Sequence, residues 1–318
     1  MAAPVVSDPV LSDPVVAAPT MPELPGEGIY SIEGAGAMAT PFFLNSPHSG
    51  EFFPPSFLAR SQLPRETLRR ASDLFVDELF RPAVAEGIPM MRALLPRSFV
   101  DLNREPFELD PRLISGQLPI DANTRSLRVA GGLGTVPRVI GDQIEIYAGK
   151  IALEEALQRI EYVYLPYHLR LHRELAARHA RHGHVVLLDL HSMPSQSLPR
   201  AARQMPDIIF GDRFGTSCAP GLIERAEALA RGLGFRVERN QPYAGGYITE
   251  HYGRPVLGWH ALQIEINRAL YMDEARLEPH AGFAAVSGAL AGLVGALSDI
   301  EPFDNRTTVL HFSQKAAE

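Results

Sequence analysis

Val185-Val186-Leu187-Leu188-Asp189-Leu190 is the stretch that most narrows the folds open to this chain of 318 residues. A short, nearly unbroken apolar run preceded by a loop reads as a strand covered on both faces, the habit of strands in a parallel sheet. The run ends at His191, in His191-Ser192-Met193-Pro194. Open α/β sheets bind their ligands beyond the carboxyl ends of the strands, so His191 stands where a site would form. Asp189 lies two residues earlier and shares that face. It reads equally as a partner for His191 or as a hydrogen-bonded core carboxylate.

The remaining pattern fits an α/β protein. Leu68, Leu74, Phe75 and Leu79 recur near helical spacing and predict a helix over about 65–85, with Gly87 as its stop. Asp73 and Asp77, four apart on that helix, read as a solvated or capping pair. A long helix is predicted over 150–182, with Pro166 as a potential kink. Its His168 and His172 read as ordinary helix histidines, because Leu169 stands where a zinc-peptidase helix would carry Glu. Further helices are expected over 219–232 and 281–297, the latter packed on the sheet or on another subunit. Phe99 to Arg104 alternates like a strand, and 207–210 and 235–238 also read as strands. Residues 130–142 read as a glycine-rich loop delivering Arg138, and 243–253 as a Gly- and Tyr-rich loop. Leu262 to Asn267 alternates with period two. It is either an edge strand with a wet face or a strand whose Glu265 faces a cleft. Residues 1–28, rich in Pro, Ala and Val, read as a disordered tail. A single α/β domain is expected over 29–300, followed by a C-terminal tail over 301–318.

Composition excludes several classes of function. Hydrophobic residues make up 46% of the chain, enough for a large core, and the formal charge of −7 argues against a nucleic-acid surface. Lys150 and Lys315 are the only lysines, so positive charge is almost all Arg, the side chain suited to forked recognition of carboxylates. Cys218 is the single cysteine and reads as a buried or capping thiol. No apolar stretch is long enough to span a bilayer, and the first basic residue is Arg60. A cytoplasmic enzyme with no membrane partner is expected, with self-association left open.

The chemistry begins at Ser46-Pro47-His48-Ser49-Gly50-Glu51, where an imidazole and a carboxylate follow the apolar Pro41-Phe42-Phe43-Leu44. Together with His191 they supply two imidazoles and one carboxylate, which leaves a position on zinc open for water. Glu265 would then serve as a base that is not a ligand. The stretches S-P-H-S-G (46–50), D-L-N-R (101–104), L-D-L-H-S (188–192), G-D-R-F-G-T-S-C (211–218), G-G-Y-I-T-E-H-Y-G-R-P (245–255) and H-A-L-Q-I-E-I-N-R-A-L-Y-M-D-E (260–274) closely resemble the N-formylglutamate amidohydrolase (deformylase) family. That family shares its metal-site logic with zinc carboxypeptidases. The resemblance spans roughly 40–276 and implies a three-layer αβα sandwich with a mixed, largely parallel sheet. It also implies one Zn2+ per chain and hydrolysis of N-formyl-L-glutamate, a small anionic N-acyl amino acid, in histidine breakdown. Residue by residue it implies His48, Glu51 and His191 as metal ligands and Glu265 as base. Asn103 and Arg104 would grip a substrate carboxylate, with Arg138, His251 and Tyr252 nearby.

Overall fold

The computed structural model describes residues 23–26, 28–197 and 206–299. Apart from 23–26 and 28, the two expected tails lie outside the described residues. Seven strands form the main sheet: β1 (Tyr30–Glu33), β2 (Phe42–Ser46), β3 (Met90–Ala93), β4 (Val185–Met193), β5 (Ile208–Gly211), β6 (Val237–Arg239) and β7 (Trp259–Asn267). Their spatial order is β1-β3-β2-β4-β7-β5-β6. The outer pair β1/β3 and the pair β7/β5 are antiparallel; the other neighbours are parallel. The fold is thus an αβα sandwich around a mixed, largely parallel sheet.

Alternation along the central strands builds two cores. Phe42, Leu44, Val186, Leu188, Leu190, Leu262, Ile264 and Ile266 face one side, where the helices Val76–Ala85, Pro220–Gly232 and Phe283–Ser298 cover them. Phe43, Val185, Leu187 and Ala261 face the other, packed with Tyr164, Tyr167, Leu171 and Leu175 of the long helical stretch 153–182. Each such buried side chain contributes about 1.5–3 kcal/mol. Toward the carboxyl ends this second face turns polar: Asn45, Asp189, His191, Gln263 and Glu265 follow Phe43, Leu187 and Ala261 on the same side, and all are buried. The parallel β4/β7 register sets Glu265 opposite His191.

Several local expectations are corrected. The helix expected over 65–85 is two helices, Arg65–Arg69 and Val76–Ala85, separated by a turn in which Phe75 takes a left-handed φ of 64°. Asp73 sits in that turn, only 1% exposed, and Asp77 is buried against Arg92, so neither is a solvated residue. Phe99 to Arg104 is a succession of turns, with the Phe99 amide donating to the Pro96 carbonyl. The loop expected over 243–253 contains the helix Tyr247–Tyr252. β7 is no edge strand; β4 and β5 flank it, and its polar face looks into the protein. The stretch 153–182 is helical throughout, widening to a π turn over Ile160–Tyr164 just before Pro166, which cannot donate to the preceding turn. Cys218 is buried, and burial pushes its thiol pKa up, away from nucleophilic duty.

Candidate metal centre

β2 ends at Ser46, and the chain turns so that His48 lies beneath the carboxyl end of β4. Gly50 permits this turn: a Cβ there would lie 2.2 Å from the Leu95 carbonyl oxygen. The Asp73 amide donates to the His48 carbonyl at 2.9 Å, which ties the turn between the two short helices to the same place. His191 arrives on β4 from across the sheet. The ring centroids of His48 and His191 are 4.9 Å apart.

Three ligand atoms converge here. His48, Asp73 and His191 each present one such atom, all within 4.8 Å of one another and all in buried residues. Asp73 Oδ2 lies 3.3 Å from His48 Nδ1 and 3.0 Å from His191 Nδ1. The far nitrogen of each ring meets an atom that can only accept: His48 Nε2 lies 2.8 Å from Asp101 Oδ1, and His191 Nε2 lies 2.9 Å from Asp189 Oδ2. A proton on each Nε2 would satisfy those contacts and leave each Nδ1 to a cation, as in the carboxylate–histidine–metal arrangement. His48 Nδ1 is buried and has no hydrogen-bond partner among the described residues. A divalent cation with nitrogen and oxygen preference would satisfy it, so the donor set fits zinc.

The electrostatics agree with that demand. Burial works against the Asp73 carboxylate, but the His191 hydrogen bond and the two adjacent imidazoles outweigh it and hold its pKa well below the usual range. Burial likewise opposes ionisation of Asp101, yet Arg104, Arg97 and His48 depress it. His191 is driven well above its ordinary value, burial being overcome by Asp189 and Asp73. Glu265 moves the other way. Burial, more than any neighbour, raises its carboxyl to about 7, with His191 and Arg97 pulling down and Asp73 pushing up. Its Oε1 accepts from Gln263 Nε2 at 3.0 Å, and Gln263 Oε1 accepts from the Gly246 amide at 3.1 Å.

The other expected site residues are distributed unevenly. Glu51 is outside the cluster: its carboxylate, more than a third exposed, pairs with Arg69 at the surface, and Asp73 takes the third position instead. Asn103 lies at the site, 3.2 Å from His191 Nε2, with its Oδ1 accepting from the Ile248 amide and its own amide donating to Asp101. Gly246 packs against it so tightly that a Cβ would lie 2.3 Å from the Asn103 amide. Arg104 is committed to the Leu133 and Asn103 carbonyls and lies 3.5 Å from Asp101; burial brings its pKa down to about 10. Tyr252 is buried, its hydroxyl bonded to His168, and His251 is an exposed ring stacked on Tyr247.

Arg138 belongs elsewhere. It lines a cavity of about 450 Å3 with Gln62, Arg112, Glu145, Tyr147 and Lys150, and pairs with Asp110 at 2.9 Å and with Glu145. Arg138→Ala is therefore expected to leave kcat/KM within about twofold of wild type. It should cost about 1–3 kcal/mol of stability in a denaturant titration, by leaving buried Asp110 short of a partner. Loss of substrate affinity at unchanged stability would return Arg138 to the site.

Asp73, Asp101, Asp189 and Arg97 carry no sequence-based assignment to this site beyond the open reading of Asp189. Arg97 Nη2 donates to Asp101 at 2.7 Å, and the charge of Arg97 acts on both Asp73 and Glu265. Its other nitrogens form no hydrogen bond among the described residues.

An αβα sandwich with two imidazoles and a carboxylate gathered at the carboxyl edge of its sheet, beside a buried glutamate, has the organisation of a metal-assisted hydrolase. The family model for N-formylglutamate amidohydrolase matches residues 40–272. An N-formylglutamate deformylase of Pseudomonas aeruginosa is 30% identical over 237 residues, covering 74% of this chain and 83% of that protein. A second, from Pseudomonas putida, is 29% identical over 238 residues, 74% of this chain and 82% of its own length. The crystal structure of N-formylglutamate amidohydrolase from Ralstonia eutropha JMP134 superimposes with a TM-score of 0.81 at 32% identity, covering 86% of this chain and 98% of that one. The chain belongs to the N-formylglutamate amidohydrolase family, a family of hydrolases acting on a linear amide.

Proposed function

We propose that this protein is a zinc-dependent deformylase that hydrolyses N-formyl-L-glutamate to formate and L-glutamate, a cytoplasmic step of histidine breakdown. The observation that carries the reading is the convergence of His48 Nδ1, His191 Nδ1 and Asp73 Oδ2 beside Glu265. His48, Asp73 and His191 would hold the zinc. When bound, it supplies a Lewis acid for the formyl carbonyl and lowers the pKa of a water at the site.

Glu265 is the base. Its carboxylate takes the proton of the attacking water and hands it to the departing amine nitrogen, so that the C–N bond breaks as neutral amine leaves. Gln263, its own carbonyl occupied by the Gly246 amide, can only donate to Glu265 Oε1, which leaves Oε2 for proton transfer. Arg97, held in place by Asp101, offers a substrate carboxylate guanidinium donors that no described residue accepts. Arg104, the clamp expected from the D-L-N-R stretch, supports Asn103 by its bond to the Asn103 carbonyl.

The test is a formate assay on metal-reconstituted enzyme over N-formyl amino acids that differ in side chain. N-formyl-L-glutamate should exceed N-formyl-L-glutamine by about tenfold or more in kcat/KM, the scale of one hydrogen bond to a charged group. Equal rates for both, or release of amino acid without formate from another N-acyl group, would overturn the assigned substrate.

A further inference from the structure

Asp73 has two carboxylate oxygens, and only Oδ2 faces the imidazoles. Oδ1 is taken up on the opposite side. Arg268 Nη2 donates to it at 3.1 Å, and Ser192 Oγ lies 3.4 Å away. Arg268 leaves β7 immediately after Asn267, and its side chain is 7% exposed. All three of its nitrogens are engaged: Nε donates to Ser192 Oγ at 3.0 Å, Nη1 to the Arg70 carbonyl at 3.0 Å, and Nη2 also to the Ser72 carbonyl at 2.9 Å. One guanidinium therefore joins the end of β7, the residue after His191, and the turn that carries Asp73.

We propose that Arg268 is a positioning residue that orients Asp73, fixing which oxygen faces the two imidazoles and assembling the site before any cation arrives. The proposal rests on the metal reading above. The turn over 70–75 has no regular secondary structure; its amides bond to nearby carbonyls and to His48, and the carbonyls of Arg70 and Ser72 are bonded by the Arg268 fork. A planar fork with several fixed donors meets two carbonyls, a hydroxyl and a carboxylate at once; a lysine ammonium cannot. Without the fork, only the longer Ser192 contact remains on Oδ1, the Asp73 carboxylate is more weakly held, and zinc would have to order it at the cost of affinity.

The experiment measures zinc affinity of metal-free protein by competition with a chromophoric chelator, with circular dichroism reporting the fold. Arg268→Met should weaken zinc binding by about 10–100-fold, the usual loss when the support of a metal ligand is removed. Arg268→Lys should recover part of that loss, and Ser192→Ala should show a smaller loss in the same direction. The selective readout is the Asp73→Asn background. If Arg268 acts through Asp73, adding Arg268→Met there should cost only a small fraction of what it costs wild type. Equal losses in the two backgrounds, or wild-type affinity in Arg268→Met, would overturn the proposal. Should Arg268→Met fail to fold, Arg268→Lys and Ser192→Ala decide it, wild-type affinity in both counting against it. Failure of the underlying metal reading looks different: wild type itself would bind no zinc, or Asp73→Ala would bind it as well as wild type.

Discussion

Asp73→Ala is expected to purify with little bound metal and to lose kcat/KM by about 10³-fold or more, because the metal contributes several kcal/mol of transition-state stabilisation. Glu51→Ala should keep both metal and activity. The contrast follows from burial. Asp73 is enclosed, and its Oδ2 lies close to both Nδ1 atoms. Glu51 is more than a third exposed and engaged with Arg69, so removing it breaks a surface pair whose contribution is about 0–1 kcal/mol. Asp73→Ala also strands Arg268 among carbonyls, so Asp73→Asn belongs in the same series to separate loss of a ligand from loss of fold. Metal content per chain, read by elemental analysis on dialysed protein, decides between the two carboxylates. Full metal in Asp73→Asn together with an empty Glu51→Ala would restore the ligand set implied by the H-x-x-E spacing.

At that spacing a local pattern competes with a tertiary one. His48 and Glu51 are three residues apart, and an ordinary turn would keep them together. Gly50, however, packs its backbone against the Leu95 carbonyl, and the chain leaves that contact with Glu51 facing Arg69. Asp73 was illegible for a related reason. The apolar spacing of Leu68, Leu74, Phe75 and Leu79 is helical, and no Gly or Pro lies between Arg65 and Val76. What breaks the helix is contact with residues far along the chain, chiefly the Arg268 fork on the Arg70 and Ser72 carbonyls. A single sequence carries no sign of a bond spanning almost two hundred positions.

The central sheet was legible because its signals are intrinsic to the strands. A nearly unbroken apolar run at 185–190 reads as buried on both faces, and its polar ending points to a site. Period two in β7 correctly put Glu265 with Gln263 and away from Ile264 and Ile266. Whether that polar face was wet or enclosed depended on the neighbours β4 and β5, which alternation cannot reveal. Likewise D-L-N-R is the stretch whose Asp101 and Asn103 contact the two histidines, while the engagement of the neighbouring charges depends on packing. Arg104 is consumed by carbonyls, and Arg97, seven residues earlier, has donors that no described residue accepts.

Glu265→Gln should bind metal as wild type does while kcat falls by about 10²–10⁴-fold, the range for a lost general base. The substitution is nearly isosteric and keeps an oxygen for the Gln263 donor, so the site geometry should survive. Wild-type kcat/KM should fall on acidification through a single ionisation, since Glu265 works only as the carboxylate. Burial raises its pKa to about 7 in the metal-free protein, and a bound cation can only lower it, so the acid limb should lie at or below that value. The same shift has an opposite consequence for stability. A carboxyl whose folded pKa lies above its ordinary 4.5 binds its proton more tightly when folded. The metal-free protein therefore loses stability as pH rises from about 4.5 to about 7, and at pH 8 it bears the full cost of a buried charge. Glu265→Gln removes that charge, so metal-free variant should be more stable than metal-free wild type at pH 8, by roughly 1–3 kcal/mol, with the difference fading toward pH 4. Activity and stability would then move in opposite directions at one residue, as expected where burial keeps a carboxylate basic enough to take a proton from water. Denaturant titrations of both proteins at the two pH values measure the difference directly. A variant less stable at pH 8, or one that has lost its metal, would mean that Glu265 holds the site together rather than serving it as a base.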